Sequence, residues 1–313
     1  MRFKRIHFTI QNDISELPEL ELYFSLNEAQ LLHIYEPELG LFAVESPMVI
    51  ERALMAGYEP KSFVMLDTVV DEMCRRFEEI MKTYAEGFEL TESDQPEIPV
   101  YVSDYETIAG LTGVNITRGV LALMKRQPLP SLEQVVSGYS RIAVLDDIEN
   151  PTNVGALFRS AVALGIEALI LTGSSSDPLY RRASRVSVGN VFMTKWTKLS
   201  DRGSNKTTTV KGSDKATIKK DDDKASYIKE LQALGFKTAA MALSDTAVDI
   251  REKKLKNEEK LAIILGNEGY GLSDEVIRAS DYVVKIPMGE GVDSLNVAAA
   301  SAVAFWELSK IKI

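Results

Sequence analysis

From Gly40 onward, short apolar runs alternate with stretches of helical periodicity. Leu41 to Val44, Lys61 to Leu66, Val100 to Val102 and Val120 to Met124 are apolar runs of strand length. Between them, Met48 to Ala56, Asp71 to Tyr84 and Asp104 to Leu111 repeat apolar side chains at helical spacing. Ser46-Pro47 supplies a helix start, because proline fits the first helical position, and Gly57 a stop. The pattern predicts a small α/β sandwich over about 40–127. Residues 1 to about 40 are acidic and mixed, with Pro18 and Pro37 as breakers.

Pro128-Leu-Pro-Ser opens a turn-rich stretch that ends the first domain, taken as 1–130, and 131–140 reads as a linker. From Arg141 the rhythm is strictly β/α. Ile142 to Leu145, Ala168 to Leu171, Lys237 to Met241, Leu261 to Leu265 and Tyr282 to Ile286 read as strands. Helical stretches at Val154 to Leu164, Ser226 to Leu234, Ser273 to Ala279 and Leu295 to Leu308 follow them. Strands joined through helices run parallel, so 141–313 is expected to be a parallel-sheet α/β domain. About 199–225 has almost no apolar side chains and reads as a flexible insertion, since it cannot bury enough to offset chain entropy.

Composition changes this picture little. The 313 residues are 45% hydrophobic and 26% charged, ordinary for a globular chain. Cys74 is the single cysteine, which rules out an intrachain disulfide, and His7 and His33 cannot complete a Cys/His metal site. Met1-Arg-Phe-Lys-Arg is basic with no apolar run behind it, and Leu295 to Leu308 carries Asn296, Ser301 and Glu307. A cytoplasmic protein without a membrane span is therefore expected. Charge is more informative. The net charge is −10, yet residues 1–100 hold 8 of the 36 Lys and Arg and 20 of the 46 Asp and Glu. Any contact with a polyanion must come from local basic clusters rather than from the overall field.

Two stretches carry candidate chemistry. Leu261-Ala-Ile-Ile-Leu-Gly-Asn-Glu-Gly-Tyr-Gly-Leu272 and Lys285-Ile-Pro-Met-Gly-Glu-Gly-Val-Asp-Ser-Leu-Asn-Val297 each end a strand in a Gly-rich polar loop that opens a helix. Glycine lets backbone approach a ligand, and a helix start offers unpaired N–H donors. Such loops at strand ends are where open α/β sheets bind ligands. Ordinary strand-to-helix connections are the alternative for either loop alone.

A third stretch, Asp147-Ile-Glu-Asn-Pro-Thr-Asn-Val-Gly-Ala-Leu-Phe-Arg159, completes a set. Together the three closely resemble the signature motifs of the SpoU/TrmH family of RNA methyltransferases, within the SPOUT superfamily. Asn153, Gly155, Ala156 and Arg159 match the first motif, Gly266 to Leu272 the second, and Ile286 to Met288 with Ser294 to Val297 the third. The resemblance implies a trefoil-knotted α/β domain, S-adenosylmethionine as cofactor, RNA as substrate and a homodimer. By carry-over, Leu265, Gly266, Asn267, Glu268, Ile286, Met288, Ser294, Leu295 and Asn296 hold the cofactor. Arg159, Asn153, Glu268, Ser294 and Asn296 form the catalytic set. In the family the first-motif arginine acts on a ribose 2′-hydroxyl, which leaves Arg159 as activator of that hydroxyl or as orienter of a phosphate.

The N-terminal domain is similar, more loosely, to the L30e-like RNA-binding domain found in that position, at Phe42 to Leu54 and Thr112 to Leu123. Arg118, Lys125 and Arg126 cluster beside a Gly-containing turn and suit RNA phosphate; a solvated loop is the alternative. Arg181-Arg182-Ala-Ser184-Arg185-Val-Ser187-Val-Gly189 resembles the family's Arg-x-Ser-x-Gly stretch, and Arg182 and Arg185 are expected to place RNA. There, helix capping and surface charge are the alternative. The resemblance favours ribosomal over transfer RNA. A dinucleotide-dependent oxidoreductase does not fit, because Gly266 to Gly271 has the wrong order and lies late in the chain. A catalytically silent RNA-binding or ribosome-assembly homologue is the main competing reading.

Overall fold

The computed structural model describes residues 2–9, 17, 20, 22–23, 30, 40–84, 97–112, 118–199, 225–244, 246–292 and 294–310. The expected insertion at about 199–225 therefore lies, from 200 to 224, outside the described residues. The chain forms two compact units. One comprises 1–128 with 177–194, the other 129–176 with 195–313.

The first unit is built on five strands, β1 (Arg2–His7), β2 (Leu41–Glu45), β3 (Pro60–Leu66), β4 (Glu97–Ser103) and β5 (Val120–Lys125), in the order β1-β4-β3-β5-β2. β1, β4 and β3 are parallel, and β5 runs antiparallel to both β3 and β2. Apolar residues of the central strands, such as Phe63, Val64, Val100 and Leu123, are fully buried. The helices Pro47–Met55 and Val70–Thr83 pack against each other. β1 was not expected from the sequence. It is an edge strand carrying Lys4 and Arg5, which pair with Glu97 at 3.8 Å and Asp71 at 2.6 Å. Charged edges of this kind discourage further strand pairing and erase the alternation that marks a strand.

Asp177–Thr194 belongs to this unit although it follows a strand of the other in sequence. Arg126 donates to Asp177 at 2.8 Å, Arg185 reaches the buried Glu45 carboxylate at 3.3 Å, and Arg52 donates to Val188 O and Asn190 Oδ1, both at 2.6 Å. Phe192 completes an aromatic group with Phe42 and Tyr58, the two edge-to-face contacts having centroids 5.2 Å apart. Burial pushes the Tyr58 hydroxyl up to about 12.

The second unit is a seven-stranded parallel sheet of β6 (Arg141–Asp146), β7 (Ala168–Thr172), β8 (Lys195–Lys198), β9 (Lys237–Met241), β10 (Val248–Asp249), β11 (Leu261–Leu265) and β12 (Tyr282–Lys285). Their order is β10-β12-β9-β11-β6-β7-β8. β11 lies at the centre and is buried throughout, as expected for a parallel strand covered on both faces. Helix Pro151–Ala163 and the final helix Val297–Leu308 pack together. Within the stretch read as a linker, Leu132–Val136 is a short helix started by a reciprocal cap between Ser131 and Gln134. It buries Leu132, Val135 and Val136, which turns part of the expected connector into core.

One side chain ties this unit together. Arg141, at the start of β6, is buried, and its guanidinium donates to five carbonyl oxygens. These are Ser140 at 2.9 Å, Lys256 at 3.0 Å, Glu258 at 2.7 Å, Glu259 at 3.1 Å and Leu308 at 2.8 Å. The Glu167 carboxylate takes the backbone N–H of Ser140 and Arg141 at 2.7 and 2.8 Å. Replacing Arg141 by Met would strand several carbonyls without donors, at roughly 1–3 kcal/mol for each one left unsatisfied. We expect Arg141→Met to lower the urea midpoint sharply; an unchanged midpoint would show that water takes over the carbonyls.

Candidate active site

In a parallel sheet all strands end on the same edge, so β6, β11 and β12 deliver their exit loops to one side of the second unit. The first loop follows Asp146. Asp147 adopts a left-handed backbone, φ 56°, which aspartate tolerates better than most residues. This turns its carboxylate onto Ser174, which donates its backbone N–H at 2.8 Å, and its carbonyl onto Asn267. Gly173 is required beside it, because a Cβ there would fall 1.9 Å from Asp147 Oδ1. Asn150 then caps the helix Pro151–Ala163, accepting from Thr152 N at 2.9 Å, with Pro151 in the first turn.

The second loop, Gly266 to Leu272, is locked by Asn267. Its side chain donates to Asp147 O at 2.8 Å and accepts from Gly269 N at 2.7 Å, while its own carbonyl accepts from Gly271 N at 2.9 Å. Gly266 lies so close to the returning chain that a Cβ would stand 2.6 Å from the carbonyl carbon of Gly271. This tight turn exposes Glu268 and brings it to Asn153, whose amide donates to Glu268 Oε1 at 2.5 Å. Asn153 and Glu268 are 115 positions apart, and their contact joins the first two loops.

The third loop, Ile286 to Asn296, is more open. Ile286 and Met288 are half-buried, whereas Ser294, Leu295 and Asn296 are exposed. A Cβ on Gly289 or Gly291 would meet nothing within 4 Å. Asn296 caps the final helix, accepting from Ala298 N at 2.9 Å. Leu265, the last residue of β11, is buried.

Of the expected catalytic set, the structure brings Asn153 and Glu268 together. Arg159 lies six residues along the helix from Asn153, roughly 120° around its axis at 3.6 residues per turn, and is exposed. Among the described residues neither the Arg159 nor the Ser294 side chain has a hydrogen-bond partner. The five expected RNA contacts all fall in the first unit. Arg118 is exposed, Lys125 pairs with Glu59 at 2.6 Å, Arg185 pairs with Glu45, and Arg182 lies in the helix Arg181–Val186. Arg126 departs from expectation. Its side chain, 9% exposed, lies over Phe42 and donates to the Leu41 carbonyl and to Asp177, so it packs the first unit instead of meeting phosphate. Sequence reading did not mark Asp147, Gly173 or Ser174, whose roles depend on which loops become neighbours.

A parallel sheet with Gly-rich loops gathered at its carboxyl edge, two of them joined through polar side chains, defines an α/β enzyme with a site for a small ligand. The family model described as the SpoU rRNA Methylase family matches residues 140–205 and 200–306, and the chain belongs to that family. An uncharacterized tRNA/rRNA methyltransferase of Mycobacterium bovis is 30% identical over 294 residues, 94% of this chain and 89% of that one. An AdoMet-bound rRNA methyltransferase from Sinorhizobium meliloti superposes with a TM-score of 0.68 and 21% identity, covering 98% of this chain and 97% of its own. A structure described as an RNA 2′-O ribose methyltransferase matches with a TM-score of 0.61 and 23% identity, over 97% and 98% of the two chains. The protein is a methyltransferase of the SpoU family that acts on RNA.

The Gly266 contact gives a direct test. Gly266→Ala must push the loop off its return strand, at about 1–3 kcal/mol of stability. By contrast, Gly110→Ala, in open space on the helix Tyr105–Thr112, should gain up to ~1 kcal/mol. Urea unfolding of both variants checks the contrast, and equal midpoints would refute it.

Proposed function

We propose that this protein transfers a methyl group from S-adenosylmethionine to the 2′-hydroxyl of a ribose in RNA, with ribosomal RNA favoured over transfer RNA. The observation that carries the reading is the Asn153–Glu268 hydrogen bond, which joins the first and second signature loops at the carboxyl edge of the sheet. The cofactor suits the residues present. Ile286, Met288 and Leu295 offer apolar side chains for the flat faces of an adenosine. The open glycines Gly289 and Gly291 leave backbone accessible for its polar edges. Leu265 to Glu268, Ile286, Met288 and Ser294 to Asn296 would hold it. When bound, S-adenosylmethionine supplies an electrophilic methyl group, so the protein has only to position it and to help the acceptor lose a proton.

A ribose hydroxyl is a weak acid, and developing negative charge on its oxygen calls for a fixed cation. Arg159 offers a guanidinium exposed to solvent, ready for the hydroxyl or for an adjoining phosphate. Glu268 fixes the Asn153 amide, and Asn153 in turn orients the acceptor. Asn296 fixes the third loop through its cap on the final helix, and Ser294, exposed beside it, joins it in placing the cofactor and the acceptor. Arg118, Arg182 and Arg185 of the first unit carry the RNA, in keeping with recognition by local basic clusters on an acidic chain.

The same reading includes a homodimer and the knotted path of the C-terminal segment. Ala299, Val303 and Trp306 recur at helical spacing as an exposed apolar stripe along the final helix, with Trp306 68% exposed. A second copy is the proposed cover, and it would bring further groups to the solvent-facing Arg159. Trp306→Glu should sediment as a monomer and lose methyl transfer, where the wild type sediments as a dimer. A monomeric wild type would end the proposal. The reading places the enzyme in the cytoplasm; among the described residues no helix is long and apolar enough to cross a membrane.

The main test is transfer of labelled methyl from S-adenosylmethionine to total RNA of a strain lacking the gene. Label should appear in one RNA fraction, and its nucleotide should resist alkaline cleavage as a 2′-O-methyl. Arg159→Ala should cut the rate by about 10²-fold or more while leaving cofactor affinity unchanged. Cofactor binding without transfer to any RNA would instead mark a silent RNA-binding homologue.

A further inference from the structure

We infer that Tyr270 is the platform on which the base of the acceptor nucleotide stacks, an assignment that rests on the RNA methyl-transfer reading above. Tyr270 stands at the tip of the second loop, two residues after Glu268, and 64% of it is exposed. Tyrosine offers a large, stiff, amphipathic contact face, and it serves recognition best when its loop is rigid. This loop is rigid. Asn267 bonds it at both ends and to Asp147, and Gly266 is wedged against Gly271, so the ring is presented without an ordering cost.

The charges around the ring decide which part of an RNA it can meet. Its hydroxyl faces Ser174, beside the carboxylates of Asp147 and Glu149. Slight burial and these two acids push the hydroxyl pKa up, as expected of a negative neighbourhood. Phosphate is repelled from such a place, whereas the neutral face of a base is not. The ribose-phosphate chain is then directed away from Tyr270 and its acidic neighbours. Holding a base on an aromatic ring while its ribose is worked on requires that nucleotide to be out of a helical stack, so the substrate class is a single-stranded or extruded nucleotide. Tyr270 is a positioning residue, with no part in proton transfer.

The test uses the full-length protein and an RNA fragment spanning the methylated site. One base on an aromatic platform is worth about 1–3 kcal/mol, so Tyr270→Ala should lose about 5- to 150-fold in kcat/KM for RNA. Its S-adenosylmethionine affinity and sedimentation should match wild type. Tyr270→Phe and Tyr270→Trp should restore the rate, because the ring and not the hydroxyl is needed, and Tyr270→Trp fluorescence should quench when the fragment binds. Wild-type kcat/KM in Tyr270→Ala would overturn the inference while leaving the methyl-transfer reading intact. So would a loss confined to cofactor affinity or to dimer formation, since the ring would then face cofactor or the second copy. If wild type itself transfers no methyl to RNA, the underlying reading fails and the inference falls with it.

Discussion

The second unit depends on a buried guanidinium that has carbonyl oxygens, rather than a carboxylate, as its hydrogen-bond acceptors. Arg141 anchors the start of β6 to the turn that feeds β11 and to the end of the final helix. A charge in that position is stable only because all of its bonds are made, and burial works to lower its pKa. The effect on function is indirect. β6 and β11 carry the first two loops, and the final helix begins at the third. A clamp at the amino ends of the strands holds their register, and register is what brings Asn153 and Glu268 into contact at the carboxyl ends.

The loops themselves are rigid for local reasons. Asn267 uses its amide and its carbonyl on the same turn, and Asp147 accepts a left-handed backbone to present two faces to two neighbours. Where side-chain bulk would interfere, Gly266 and Gly173 remove it. Among its described residues the third loop is braced more lightly, by Val292 N–H donating to the Gly289 carbonyl and by the Asn296 cap of the final helix.

Much of this could be read in the sequence. The apolar runs located the central strands and the Gly-rich stretches after Leu265 and Ile286 located two of the loops, because these features are local, while the first loop was marked only by its resemblance to a family motif. What escaped depends on partners far along the chain. Arg126 looks like surface charge until Asp177, 51 positions away, comes beside it. Arg141 looks like an ordinary strand-edge residue until Leu308, 167 positions on, offers its carbonyl. β1 escaped because an edge strand gains by carrying charge, which hides its period. The Leu132–Val136 helix is different: its Ser131-to-Gln134 cap was legible, but the neighbouring prolines drew the stretch toward a linker.

The membership of Asp177–Thr194 in the first unit changes what a domain means for this chain. The polypeptide passes between the units at three points, 128/129, 176/177 and 194/195. No single cut can therefore release either unit whole. A fragment ending at Pro128 would part Glu45 from Arg185, Arg126 from Asp177, and Phe42 and Tyr58 from Phe192. Arg182 and Arg185, which are proposed to carry the RNA, are thus encoded inside the stretch that matches the methyltransferase family. Shuffling the N-terminal segment onto another enzyme would leave part of its own packing behind.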